Sequence, residues 1–311
     1  MTKKVIAQRL WQSWDDNYDQ QLGADSTIIE LPQGQVEYCT LGEGDPVVIT
    51  HNTPGGYDQA RLFAKPFLEA GFKVICWSRP GYLNTPLSTA KIFAEQTELS
   101  ATLLDYLWID NACHYGIASG AAISIMLAKK YPEKVESLIL ENPVSAESLT
   151  ADKLTQNNSL DSVFFMSQDN WLLNLFQQHF PQVPHKLSIK GENYFDEAQL
   201  LSLLQQKFDD NKSKKLIQLL KTTGPTEKKE QGFYNDVYEI SRFNFDITGL
   251  IVPYLIIAGE KDGFNVRFIF DEKHTVSFSD HGYQLFLDPQ YKLIQARSVQ
   301  FIRSISWSEV K

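Results

Sequence analysis

Gly116 and Gly120 enclose Ile117, Ala118 and Ser119 in the run "HYGIASGAA" (114–122). A strand-like segment precedes them and a helical pattern follows. That is the setting in which a G-x-S-x-G elbow presents a reactive serine, but the residue in the nucleophile's place is Ala118. A nucleophile on this sharp strand-to-helix turn needs small residues two before and two after it. Around position 118 these are Gly116 and Gly120; around Ser119 they would be Ile117 and Ala121, and a β-branched isoleucine packs poorly there. Ser119 is therefore read as the start of the helix, its backbone N–H serving as one oxyanion donor.

Two later residues have the chemistry to serve a hydroxyl at position 118. "IIAGEKDG" ends a strand with G-x-x-D and puts Asp262 in the loop beyond it, and "VSFSDHGY" ends the next strand with His281. Of six histidines only His274 and His281 lie late enough, and His274 begins its strand, at the opposite edge of the sheet. His281 can take a proton from a hydroxyl at 118, and Asp262 can hold its tautomer and stabilise the imidazolium. Asn142, after the sixth strand, is an amide and cannot supply that charge. His51 closes the third strand and is read as a packed structural residue.

The elements that must position these residues follow from periodicity. "STIIEL", "QVEYCTL" and "PVVITH" read as short strands separated by the turn residues of "PQGQ" and "GEGDP", an antiparallel start. Strands and helices then alternate. "YDQARLFAKPFLEAG" reads as a helix, "FKVICWS" as a strand, "IFAEQTELSATLLDYLWI" as a helix and "CHYGIA" as a strand. "SGAAISIMLAKKYPEK" is a further helix and "VESLILENP" a further strand. Strands apolar on both faces and alternating with amphipathic helices predict a mostly parallel central sheet flanked by helices. From about 145 to 248 only helix-like patterns and polar loops occur, after which strands resume and a helix runs from about 290 to 307. The expected organisation is an α/β core of 1–144 and 249–311, with a helical cap of 145–248 inserted after the sixth strand. Phe164, Phe165, Trp171, Phe176, Phe180, Tyr194 and Phe195 would form the cap's own core or line an apolar pocket.

Composition narrows the partners. With 43% hydrophobic residues and a net charge of −9, the chain is an ordinary globular protein that would repel a nucleic-acid backbone. Cys39, Cys76 and Cys113 each fall in or at the end of an apolar run and read as buried free thiols. The N-terminal run has no apolar h-region, and no stretch of about 18 apolar residues could span a bilayer, so a soluble cytoplasmic protein is expected. No metal-ligand spacing, dinucleotide fingerprint or P-loop occurs, so neither metal nor cofactor is expected.

Two loops complete the pattern. "HNTPGGYDQ" resembles an HGGPGGYDQ-type loop after the third strand, and "SRPGYLNTPLS" resembles an SRPGYGRTPLS-type loop after the fourth. With the elbow, these make 51–144 and 249–287 resemble the α/β-hydrolase superfamily, in its proline-iminopeptidase-like or esterase-like branch. The resemblance implies hydrolysis of carboxylic esters or small amides through an acyl-enzyme, acting on a small uncharged or apolar acyl substrate. By the same alignment the backbone N–H groups of Thr53 and Ser119 are the oxyanion donors, with Gly55 and Gly56 shaping the loop. Asn52 and Thr53 stand where the resembling sequences have glycine, and their side chains can narrow the pocket or add a hydroxyl contact. Ser119 replaces the tryptophan that usually follows the serine of strict proline iminopeptidases, which argues against that activity.

Ala118 admits three accounts. The first is a serine hydrolase carrying an engineered serine-to-alanine exchange; it is favoured because Asp262, His281, both elbow glycines and the P-G-G loop all persist. The second is a natural non-catalytic relative that binds a small molecule. The third is an enzyme in which His281 works without a covalent nucleophile.

Overall fold

The computed structural model describes residues 26–146, 222, 228–259, 275–278 and 291–306. Asp262, His281, the first 25 residues and the seven aromatic residues between 164 and 195 lie outside the described residues. The chain divides into two compact units, Met1–Gly23 with Thr150–Lys221, and Ala24–Leu149 with Thr222–Lys311. The description below concerns the second.

Among the described residues eight strands form one sheet: β1 (Thr27–Leu31), β2 (Gly34–Leu41), β3 (Pro46–Thr50), β4 (Lys73–Trp77), β5 (Ala112–Ile117), β6 (Val135–Glu141), β7 (Tyr254–Gly259) and β8 (Thr275–Phe278). Their order is β1-β2-β4-β3-β5-β6-β7-β8. β1 pairs antiparallel with β2, and β2 antiparallel with β4. All other pairs are parallel. The antiparallel start therefore covers β1 and β2, whereas β3 enters the parallel part between β4 and β5. Its apolar run explains the placement, since Val47, Val48 and Ile49 are buried on both faces of the sheet. β5, at the centre, is buried along its whole length.

One expected helix is two. The run 57–71 forms α1 (Tyr57–Leu62) and α2 (Lys65–Glu69), with the break at Phe63 and Ala64. Pro66 is the cause. It has no N–H for the Leu62 carbonyl, and its ring would collide with that carbonyl in a continuous helix, whereas the first turn of a new helix tolerates it.

α3 (Phe93–Tyr106) starts where the Glu95 carboxylate turns back to accept the N–H groups of Lys91 and Ile92 at 2.7 and 3.2 Å. α4 (Gly120–Lys130) follows β5 directly and stops before Pro132, where a single 3₁₀ turn (Pro132–Lys134) leads into β6. Ala121, Ile125, Leu127 and Ala128 of α4 belong to the core cluster that holds Leu138, Leu140, Val252 and Ile256. α6 (Tyr291–Ser306) buries Tyr291, Ile294, Ser298 and Ile302 at helical spacing. Tyr291 and Tyr115 meet Phe63 edge-on with ring centroids 6.3 Å apart, and Phe67 packs on Tyr115 at 5.6 Å.

α5 (Glu230–Ile240) lies inside the stretch expected to be cap, yet it docks on the loop after β4. The Gly232 N–H donates to the Gly81 carbonyl at 3.0 Å, and the Leu83 N–H to the Lys228 carbonyl at 2.7 Å. Two glycines make this approach possible. A Cβ on Gly81 would lie 2.5 Å from Gly232 Cα, and one on Gly232 would lie 2.4 Å from the Tyr82 ring. Cys39, Cys76 and Cys113 are buried free thiols, as their apolar settings predict, and Cys39 faces Cys76 across β2 and β4.

Candidate active site

The turn between β5 and α4 is centred on Ala118. Its φ of +49° is the left-handed region that residues with a Cβ rarely occupy, while Ser119 is already helical at φ −62°, ψ −31°. The Ala118 N–H donates to the Glu141 carbonyl at 2.8 Å, which ties the turn to the end of β6. The reason for both flanking glycines is visible. A Cβ on Gly116 would stand 2.6 Å from Ala121 Cα and 2.7 Å from Ser124 Oγ; one on Gly120 would stand 2.3 Å from the Thr50 carbonyl oxygen and 2.7 Å from that of His51. Without those side chains the end of β5 packs against α4 at Gly116 and the turn crosses the end of β3 at Gly120.

The loop after β3 faces the turn. Gln59 of α1 ties it down: its Oε1 accepts the Asn52 N–H at 2.9 Å and its Nε2 donates to the Pro54 carbonyl at 2.7 Å. A Cβ on Gly55 would meet Asn52 O, His51 Nδ1 and Gln59 Oε1, and one on Gly56 would meet Leu83 and Asp58. His51 is buried and packed, as expected: Nδ1–H donates to the Asn52 carbonyl at 2.7 Å, and Nε2 accepts the Arg79 N–H at 3.0 Å. Burial, reinforced by the Arg79 charge, holds its pKa well below the usual histidine range, so it stays neutral.

Thr53 and Ser119, the two expected oxyanion donors, are brought together, with their hydroxyl oxygens 2.7 Å apart. Among the described residues neither backbone N–H is taken by an acceptor. Their hydroxyls are a different matter, because a buried cluster absent from the sequence reading claims them. Arg79, from the loop after β4, forms a two-pronged ion pair with Asp236 of α5, with Nη1 2.8 Å from Oδ1 and Nη2 on Oδ2. Arg79 Nη2 also donates to Ser119 Oγ at 2.9 Å and to Thr53 Oγ1 at 3.3 Å. The Tyr82 hydroxyl donates to Asp236 Oδ2 at 2.6 Å, and the Thr53 hydroxyl donates to the same oxygen.

A carboxylate only accepts, so the single Thr53 proton is committed to Asp236, and Ser119 must donate to Thr53. Both hydroxyl protons therefore point into the cluster, and the extra hydroxyl contact conceivable from Thr53 is not made. Arg79, Tyr82 and Asp236 are all fully buried. Burial opposes the Arg79 charge, but Asp236 outweighs it and raises the guanidinium pKa. Arg79 was legible only as part of a loop motif. Asp236 had one signal: a carboxylate at the spacing of Phe233 and Ile240, on the buried side of α5.

Two more buried acids lie near the site. Glu141 accepts the hydroxyls of Tyr115 and, at 3.3 Å, Tyr291; burial pushes its pKa up to about 7. Lys229 Nζ reaches Asp58 Oδ2 at 3.0 Å and the Thr222 carbonyl at 2.6 Å. Asn142 is buried at φ +45°. Among the described residues no group of three or more His, Cys, Asp or Glu could hold a metal ion, and no helix is long and apolar enough to cross a membrane.

An eight-stranded sheet in this order with a strained turn after β5 is the architecture of the α/β hydrolases. The alpha/beta hydrolase fold family matches residues 45–269, and the chain belongs to it. In sequence it is 26% identical to the uncharacterized hydrolase YcgS of Bacillus subtilis over 81% of this chain and 85% of that one. It is 30% identical to a 2-hydroxy-6-oxo-6-phenylhexa-2,4-dienoate hydrolase of Comamonas testosteroni, over 37% of this chain and 42% of that enzyme. An alpha/beta hydrolase fold protein from Nakamurella multipartita superposes with a TM-score of 0.66 at 22% identity, covering 89% of this chain and 99% of that one. An esterase from Exiguobacterium antarcticum does so at 0.60 and 17%, with the same coverage.

Proposed function

We propose that the protein is a serine-type hydrolase of carboxylic esters or small amides whose nucleophile position holds alanine. The supporting observation is the elbow itself: Ala118 keeps φ +49° between two glycines, Gly116 required by the packing of α4 and Gly120 by the crossing of β3. In this reading a serine at 118 attacks the acyl carbon and passes its proton to His281. Asp262 holds the imidazole, and the Thr53 and Ser119 N–H groups take the oxyanion charge. His281 then protonates the leaving group, and water releases the acyl-enzyme. A cap of 145–248 admits small uncharged or apolar acyl substrates, and the protein works in the cytoplasm without a cofactor. Similarity to dienoate hydrolases and to a 3-oxoadipate enol-lactonase supports hydrolase chemistry.

The chain with Ala118 is then nearly inert, since loss of a triad serine costs about 10⁶-fold in rate. The test is Ala118→Ser on short-chain nitrophenyl esters, followed through burst and steady state. A burst seen only with the serine form supports the proposal. Silence of both forms, with small molecules still raising Tm, would instead make this a binding protein. Equal turnover by both would assign the chemistry to His281 alone.

A further inference from the structure

The cluster behind the oxyanion donors has a direction. Ser119 donates to Thr53, Thr53 donates to Asp236, and Arg79 clamps both hydroxyl oxygens while pairing with the same carboxylate. Each link runs to one of the two residues expected to supply the oxyanion donors, or to the acid that anchors the whole set. Asp236 comes from α5, 183 positions beyond Thr53, so the fold brings in a separate element that links the loop after β3, already held by Gln59, to the turn after β5, already held at Glu141. A buried charge pair is at best weakly stabilising compared with apolar side chains of the same volume, so stability alone does not account for one here.

We propose that Asp236 and Arg79 are positioning residues of the oxyanion hole: by taking the Thr53 and Ser119 hydroxyls they set the two backbone N–H groups at the spacing a tetrahedral oxyanion needs. This rests on the acyl-transfer reading for its catalytic consequence, but not for the placement of the loops. Donors to an oxyanion act because they are fixed before charge develops. A displacement of about 1 Å in such a group is worth about 10²-fold in rate. In this role the carboxylate and guanidinium act on the hydroxyls of Thr53 and Ser119 and not on the reacting atoms. Their effect passes through Thr53 and Ser119.

The test uses the full-length chain in two backgrounds. In the Ala118→Ser protein, Asp236→Asn and Thr53→Val should each lower kcat about 10²-fold with KM changed less than about threefold. Thr53→Ser, which puts the hydroxyl back, should recover most of the rate that Thr53→Val loses. In the Ala118 protein, where no turnover is needed, amide hydrogen exchange should speed up at least about tenfold at Asn52 and Ala118, the hydrogen-bonded amides next to the two donors, in Asp236→Asn and Thr53→Val, with the strands of β5 and β6 unchanged. Thr53→Val guards against simple misfolding, because it keeps the side-chain shape and leaves the Arg79–Asp236 pair intact. If exchange at Asn52 and Ala118 is unaltered in folded variants, the positioning role is wrong even if the serine form is active. If exchange rises only there while the serine form stays inert, the clamp stands and the acyl-transfer reading falls. Protection lost uniformly across the sheet in both variants would reduce the cluster to a structural role and overturn the proposal.

Discussion

Gly120 and Thr50 meet backbone to backbone: a Cβ on Gly120 would stand 2.3 Å from the Thr50 carbonyl oxygen. The obstacle is main chain of a central strand, which cannot swing aside as a side-chain tip can. Gly120→Ala should therefore destabilise the protein by about 1–3 kcal/mol. Gly116→Ala, whose Cβ meets Ala121 and Ser124, should do the same. Urea unfolding midpoints check both; an unchanged midpoint for Gly120→Ala would mean that the start of α4 and the end of β3 are not in contact.

Ala118→Gly should go the other way. A left-handed conformation costs a residue with a Cβ about 1–2 kcal/mol, and the added freedom of glycine in the unfolded chain returns about 0.5–1 kcal/mol of that. The expected result is a stability equal to or slightly above that of the parent, from the same urea titration. A clear loss would show that the turn does not strain position 118.

Glu141 makes stability depend on pH in the direction opposite to an ion-paired acid. Its folded pKa is pushed up to about 7 by burial between Tyr115 and Tyr291, whereas the unfolded chain releases that proton near the ordinary glutamate value of about 4.3. Between those pH values the native state binds the extra proton, so this contribution is fully present at lower pH and is lost as pH rises towards 7. The loss is on the order of 3 kcal/mol. Glu141→Gln cannot ionise and should flatten that part of the profile, making the variant relatively more stable at pH 8 than at pH 5. Unfolding free energies at the two pH values decide it; parallel profiles would place the charge elsewhere.

Lys229 and Asp58 are expected to behave as a coupled pair. Burial lowers the Lys229 pKa, and Asp58 supplies the opposing attraction that lets the ammonium persist inside. Lys229→Met should cost on the order of 3 kcal/mol because it removes the charge opposite Asp58. Adding Asp58→Asn should recover much of that loss. A double-mutant cycle from thermal unfolding gives the coupling directly, and additive losses would sink the pairing.

Much of this architecture was readable before any coordinates. The strands of the parallel part are apolar on both faces, so runs such as Val47–Ile49 and the whole of β5 announce themselves. The elbow was readable because its two glycines flank one position within five residues of chain, although the backbone that demands Gly120, at Thr50 and His51, lies far away in sequence. Pro66 was visible too, but the amphipathic pattern around it suggested one helix where the missing N–H makes two. What no local pattern could give is the partnership of Arg79 with Asp236, which lie 157 positions apart. A buried carboxylate on a helix face signals that some cation is near; only the fold says which.

The docking of α5 has a consequence for anyone who would recombine this protein. The segment between β6 and β7 looks like a replaceable module, and a graft cut at 145 and 248 would exchange it whole. Such a chimera would carry Asp236 away and leave Arg79 facing Ser119 and Thr53 inside the protein with its charge uncompensated. A cut at 222 keeps α5, and with it the acid, on the recipient side of the junction. The unit division at Lys221 and Thr222 marks the same seam.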